Sequence, residues 1–96
     1  MAYVVAVTWR AKEGEEDRVR QILAEVVAHS RTEPGCRMFV GHRSLEDPRT
    51  FFLYEQYDDE AAFMAHRETE HFQHHVVGEA VPRLESRERQ NYVTLD

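Results

Sequence analysis

Histidine is the side chain whose ordinary pKa lies nearest neutral pH, which makes it the first candidate for moving protons. This 96-residue sequence holds six histidines, and four of them, His66, His71, His74 and His75, fall within ten positions. His71 and His75 are four apart, so on a helix they share a face, with Glu79 one turn further on. Three readings of the cluster compete. The histidines belong to a polar helix surface, as expected for His74. Or His71 and His75 hold a divalent ion with a carboxylate, although there is no His-Glu-x-x-His pattern and no third ligand fixed by spacing. Or His66 and His71 face a pocket and handle the hydroxyl of a substrate.

Aromatic residues supply the rest of a possible pocket. Trp9, Phe39, Phe51, Phe52, Phe63 and Phe72 are each ordinary core residues taken singly, yet small apolar pockets are walled by the same side chains. Tyr54 and Tyr57 add hydroxyls that can orient a ligand oxygen. Glu55 stands between aromatics in mid-strand, where a carboxylate must be paired or face an interface, and an ion pair with an arginine such as Arg37 or Arg43, on the neighbouring strand or on a second copy, is the expectation. The sequence lacks a glycine-rich phosphate loop, a dinucleotide fingerprint and a Cys/His metal framework. Redox chemistry on this chain would therefore draw on the substrate's own electrons or on a bound haem. An electron-rich phenolate can pass one electron to O2, leaving the protein to supply a base and an apolar cage.

The elements that must position these groups follow from periodicity. Tyr3 to Arg10 is β-branched and aromatic on both alternating faces, a strand covered on both sides. Glu15, Glu16 and Asp17 place negative charge at the start of a helix, and Val19, Ile22, Leu23, Val26 and Val27 form one apolar stripe along it. Leu23 and Val27 are expected to be buried, Arg20 and Glu25 exposed. Glu33-Pro34-Gly35 stops that helix. Arg37 to Ser44 and Thr50 to Tyr57 read as a hairpin joined at Glu46-Asp47-Pro48-Arg49, with Gly41 marking a bulge or a close approach. Asp58 is the predicted cap of a helix carrying Phe63 and His66. Thr69 is the predicted cap of a further short helix, which Pro82 ends. Gln90 to Leu95 closes the chain as a last strand.

The order β-α-β-β-α-β, with its second helix broken in two, predicts an α+β, ferredoxin-like domain. In it a four-stranded antiparallel sheet carries helices on one face. Its other face, still apolar, needs cover that a chain this short can find only in a second copy of itself. Length allows a single domain, residues 1–96. With 42% hydrophobic and 31% charged residues the chain is too apolar for disorder. A net charge of −6 disfavours nucleic acid and anionic membrane as partners. One cysteine, Cys36, excludes an internal disulfide and suits the cytoplasm. No apolar run approaches the ~20 residues of a membrane span, and no signal peptide is expected.

The ordered motifs resemble the antibiotic biosynthesis monooxygenase (ABM) family. Lys12-Glu13-Gly14-Glu15-Glu16 follows the first strand as in many such domains, and Thr32-Glu33-Pro34-Gly35-Cys36 resembles the family's connection into strand two. Phe52 to Tyr57, then Asp59-Glu60-Ala61-Ala62-Phe63 and His66, resembles its most specific block, which His71-Phe72 completes. The resemblance implies a dimeric α+β barrel, a homodimer with a small apolar cavity between sheet and helices in each subunit. It implies oxidation of a small phenolic, hydroquinone or polycyclic aromatic substrate by O2 without a cofactor, with His66 and His71 as the catalytic pair. Trp9, Phe39, Tyr54, Tyr57, Phe63, Phe72 and His75 are then the expected substrate-binding residues, with no metal. In the family's haem-degrading branch an asparagine, a tryptophan and an axial histidine align with Val7, His66 and the neighbourhood of Val76, so haem ligation is not carried over. A branch that isomerises a phosphorylated sugar-derived compound shares His66 and His71. An isomerase or tautomerase, or a non-catalytic ligand-binding dimer, therefore stays open beside the monooxygenase.

Overall fold

The computed structural model describes residues 1–96. Four strands, β1 (Tyr3–Ala11), β2 (Cys36–Arg43), β3 (Thr50–Tyr57) and β4 (Leu84–Val93), alternate with helices α1 (Glu16–Ser30), α2 (Glu60–Glu68) and α3 (Phe72–Ala80). The strands form one antiparallel sheet in the order β2-β3-β1-β4. This is the expected ferredoxin-like arrangement, with the second helical segment divided at Thr69. No helix is long and apolar enough to cross a membrane.

Strand alternation sorts the side chains. Val5, Val7, Trp9 and Ala11 of β1 and Phe51, Leu53, Glu55 and Tyr57 of β3 face the helices, and all are buried. From α1, Val19, Ile22, Leu23 and Val26 meet them as one stripe. Burial of such a side chain contributes about 1.5–3 kcal/mol before the entropy of ordering it is set against the gain. Leu23 is buried and Arg20 and Glu25 are exposed, as the stripe predicts, whereas Val27, at the stripe's end, is only half-buried. Gly41 is the close approach: a Cβ there would lie 3.2 Å from Cδ2 of Leu23. Gly35 serves α2 in the same way, since a Cβ would meet that of Ala62 at 2.5 Å.

Three details differ from the sequence-based expectation. Asp59, not Asp58, caps α2, its Oδ1 accepting from the Ala62 N–H at 2.9 Å. Asp58 is held instead by Arg37, whose Nε donates to Oδ1 at 2.7 Å. Helix α3 is wound with π-type bonds, the Val81 N–H reaching the carbonyl of Val76; such winding is rare and concentrates at functional sites. Thr69 does support its start, accepting from the Phe72 N–H at 3.2 Å. The last strand begins at Leu84 rather than Gln90, because β1 supplies a full ladder of backbone partners to a segment whose side chains are polar on both faces.

The pairing register sets three rows across the helix-facing side: Arg43–Phe51–Trp9–Arg87, Gly41–Leu53–Val7–Arg89 and Phe39–Glu55–Val5–Asn91. Helices cover β2, β3 and β1, whereas β4 stays exposed after Leu84. The opposite face carries Met38, Val40, Phe52, Tyr54 and Tyr92 and no helix.

Candidate active site

Between the sheet and helices α2 and α3 lies a cavity of about 610 Å³. Its buried wall is Val5, Val7 and Trp9 of β1, Val26 of α1, Phe39 of β2, Leu53 and Glu55 of β3, Phe63 and His66 of α2 and Val76 of α3. Exposed Met64, Glu68, Gln73 and Val77, with Arg87 and Arg89 of the uncovered strand, mark its mouth.

His66 is 2% exposed, and its Nδ1 lies 3.0 and 2.9 Å from the two oxygens of Glu33. A carboxylate only accepts, so Nδ1 carries a hydrogen, and Nε2, with no partner in the protein, is the nitrogen that bears the lone pair whenever the ring is neutral. Glu33 stands in the turn after α1, one residue before Pro34, and reaches His66 across the chain. The ring packs on Tyr57 (centroids 5.3 Å apart), Phe39 (5.7 Å) and Phe72 (5.1 Å), which fix its plane.

His71 takes another place than expected. Its Nε2 donates to Oε2 of Glu33 at 2.6 Å from outside the cavity, so it steadies the carboxylate rather than touching a bound molecule. His75 is also off the cavity: the rings of His71 and His75 both stack on His29, at 5.4 and 5.3 Å, and Nδ1 of His75 faces Glu79 at 3.5 Å. His74 lies on the surface, as expected.

Trp9, Phe39, Phe63 and Phe72 line the cavity as expected. The two tyrosines do not. Leu53 and Glu55 face the cavity, so alternation turns Tyr54 to the other side of the sheet, where its hydroxyl accepts from Gln56 at 2.9 Å. Tyr57 is on the cavity's side but behind its wall, fully buried, with Oη–H donating to Oε1 of Glu55 at 2.6 Å. Burial, then the charge of Glu55, pushes the Tyr57 hydroxyl far above its usual range, so it remains a donor.

Glu55 is the residue that the sequence reading placed wrongly. It pairs with neither Arg37 nor Arg43: Arg37 holds Asp58, and Arg43 bonds the Pro48 carbonyl and lies over Phe51. Buried in the cavity wall with Tyr57 as its hydrogen-bond donor, it is pushed up to about 7, chiefly by desolvation. Glu33, Arg67, Arg87 and Arg89 were not foreseen either. Glu33 stands in the sequence within the motif Thr32-Glu33-Pro34-Gly35-Cys36, which marks a connection and no catalytic role, and the two strand arginines stand only in a charged run.

Groups with the spacing of metal ligands are Glu33-His66-His71, Glu25-His29-His75 and His74-His75-Glu79, each with its atoms within 4.8 Å of one another. The first is internally satisfied by the hydrogen bonds described above. The arrangement as a whole is a base oriented by a carboxylate, beside a second proton-carrying group, in an aromatic cage.

The sequence matches the family described as "Antibiotic biosynthesis monooxygenase" over residues 2–77. No protein of curated function matches it. Among solved structures it is similar to PA3566 from Pseudomonas aeruginosa (27% identity, 99% of this chain and 95% of that one, TM-score 0.91). It is also similar to SO0527 from Shewanella oneidensis (27%, 95% and 88%, TM-score 0.88). Rv0793 from Mycobacterium tuberculosis, at 20% identity over 100% and 97% with a TM-score of 0.91, bears on the fold alone.

Proposed function

The chain belongs to the antibiotic biosynthesis monooxygenase family, and on that premise we propose that it is a cofactor-independent monooxygenase that oxidises a small phenolic, hydroquinone or polycyclic aromatic substrate with O2. The observation that carries the reading is the Glu33–His66 pair at the wall of an aromatic-lined cavity. Nε2 of His66 takes the proton of the substrate hydroxyl, and the Glu33 carboxylate stabilises the imidazolium that results. The phenolate passes one electron to O2; the substrate radical and superoxide then join in a C–O bond, and the peroxide so formed takes the proton back from the His66 imidazolium to give a hydroperoxide. Loss of water from that hydroperoxide, at a CH2 carbon between aryl rings, leaves a carbonyl. The carbon gives up four electrons and O2 takes four, one atom entering the product and the other leaving as water. Trp9, Phe39, Phe63 and Phe72 hold the rings and exclude solvent.

Two copies pack through the uncovered sheet face in this reading, as a homodimeric α+β barrel with one cavity in each subunit. The single thiol, Cys36, which burial pushes up to about 11, stays protonated and unreactive, in keeping with the cytoplasm.

Glu55 favours one second reading. A carboxyl near 7 and a histidine base lining one cavity are equipment for moving a proton between two carbons, the work of an isomerase or tautomerase. Oxygen uptake with a panel of anthrones and hydroquinones separates the two. The expected result is O2 consumption that anaerobic conditions stop and chelators do not, with His66→Ala lowering turnover by about 10²–10⁴. Product formed equally well without O2 assigns the isomerase. Tight binding without turnover assigns a ligand-binding dimer.

A further inference from the structure

The mouth of the cavity has a charge opposite to that of the molecule. Arg67, Arg87 and Arg89 all line it, in a chain of net charge −6. Arg10, Arg18, Arg37, Arg43, Arg49 and Arg83 each lie within 4.0 Å of a carboxylate; these three have none, and the other two without one, Arg20 on α1 and Arg31 just after it, lie away from the cavity. Their placement is built rather than incidental. Arg87 and Arg89 pair across the ladder with Trp9 and Val7, so alternation sends both toward the cavity. The guanidinia of Arg67 and Arg89 lie over the Phe63 ring, 5.8 and 5.3 Å from its centroid, which steadies them without neutralising them. Burial, together with repulsion from Arg67 and Arg89, lowers the pKa of Arg87, the mark of cations gathered against their mutual cost. Two carboxyls share the lining: Glu68 at the mouth offsets one of the three cations and pairs with none of them, and Glu55 is deep and pushed up to about 7. Near neutral pH the mouth is thus positive and its donors are unengaged.

We propose that the substrate of this cavity is an aromatic acid. Its rings lie among Trp9, Phe39, Phe63 and Phe72, and its carboxylate is received by Arg67, Arg87 and Arg89 at the mouth. Guanidinium and carboxylate match in a bidentate fork, and a site built around unengaged donors discriminates against a neutral analogue that leaves them unpaired. The carboxylate also sets the direction of entry, apolar end first, which brings ring hydroxyls to the depth of His66. The inference rests on reading the cavity as the substrate site and names the class of molecule it takes.

The test is calorimetric titration of the full-length protein with 2-naphthoate and with 2-naphthamide, which share shape and differ in charge. The acid is expected to bind at least about 10-fold more tightly, a preference that shrinks as salt is raised. Arg87→Gln with Arg89→Gln is expected to reduce that preference to about 2-fold while the amide's affinity holds, and Arg67→Gln to reduce it in part. Equal binding of acid and amide by the unaltered protein overturns the proposal. So does a preference that survives in the double variant. A third overturning result is a double variant that loses the preference together with the amide's affinity and sediments as a monomer where the parent is a dimer, which would assign the arginines to contact between copies. Circular dichroism verifies that each variant is folded. Because binding is read without turnover, a preference for the acid in a protein that consumes no O2 would sink the monooxygenase reading and leave this one standing.

Discussion

Glu55 lies in the middle of the helix-covered face of the sheet, between Phe39 and Val5 in its row, with the Tyr57 hydroxyl as its donor. Desolvation raises its pKa from the ordinary 4.5 to about 7, so between those values the folded protein binds a proton that the unfolded chain has released. The sign follows: stability from this group is fully present below pH 4.5, falls as pH rises, and levels off above about 7. The loss across the window is on the order of 3 kcal/mol, one pKa unit corresponding to about 1.4. Glu55→Gln keeps an acceptor for Tyr57 but cannot ionise, so unfolding titrations at fixed protein concentration are expected to show the variant gaining on the parent from pH 4.5 to about 7. Parallel curves would mean that Glu55 titrates as it does in water. The position is legible in the sequence as far as alternation goes, which puts Leu53, Glu55 and Tyr57 on one face; that this face is the one the helices cover, with no arginine beside Glu55, is not. The same alternation excludes Tyr54 from that face. Glu33 was harder to find, because it meets His66 only after α1, β2 and β3 have brought a turn beside a helix.

At the scale of elements, the legible ones carry an apolar period. The α1 stripe, the β1 and β3 strands and the hairpin between β2 and β3 all stand close to where their patterns put them. Strand β4 was only half visible: Glu85 to Gln90 has no apolar alternation, because β4 is an edge strand uncovered on both faces and held by its ladder to β1. Missing its start concealed Arg87 and Arg89, and with them the charge of the cavity mouth. The fit between α1 and β2 gives the test at this scale. A Cβ on Gly41 would crowd Cδ2 and Cγ of Leu23 at 3.2 and 3.3 Å, closer than Cγ2 of Val27 at 3.4 Å, so Gly41 is coupled first to Leu23. Leu23→Ala alone is expected to cost about 2–5 kcal/mol in denaturant titration. Adding Gly41→Ala returns a methyl group to the space vacated by Leu23, so the double variant should be more stable than the two single losses added, by about 0.5–3 kcal/mol. Strict additivity would mean that α1 does not press on β2 at this point.

For the molecule as a whole, the ordering of the helices leaves a face to be explained. All three helices lie on one side of the sheet, and the other presents Met38, Phe52 and Tyr92 at 43, 38 and 51% exposure, with Val40 and Tyr54 between them. Four strands about 4.8 Å apart and eight residues long at about 3.3 Å each make a face of roughly 500 Å² per copy. Two such faces together reach the ~1,000 Å² at which specific interfaces begin, before side-chain relief is added. A second copy suits this face better than a dissimilar partner, because a two-fold axis through the sheet brings the same aromatic and aliphatic residues onto one another without a new surface having to match. Sedimentation at micromolar concentration is therefore expected to give twice the chain mass. Phe52→Glu places a charge at the centre of that contact while leaving the core of each subunit untouched, and it is expected to yield a folded monomer. A parent protein that sediments as a monomer would mean that the exposed aromatics of this face remain in water, and the barrel would lose its second half.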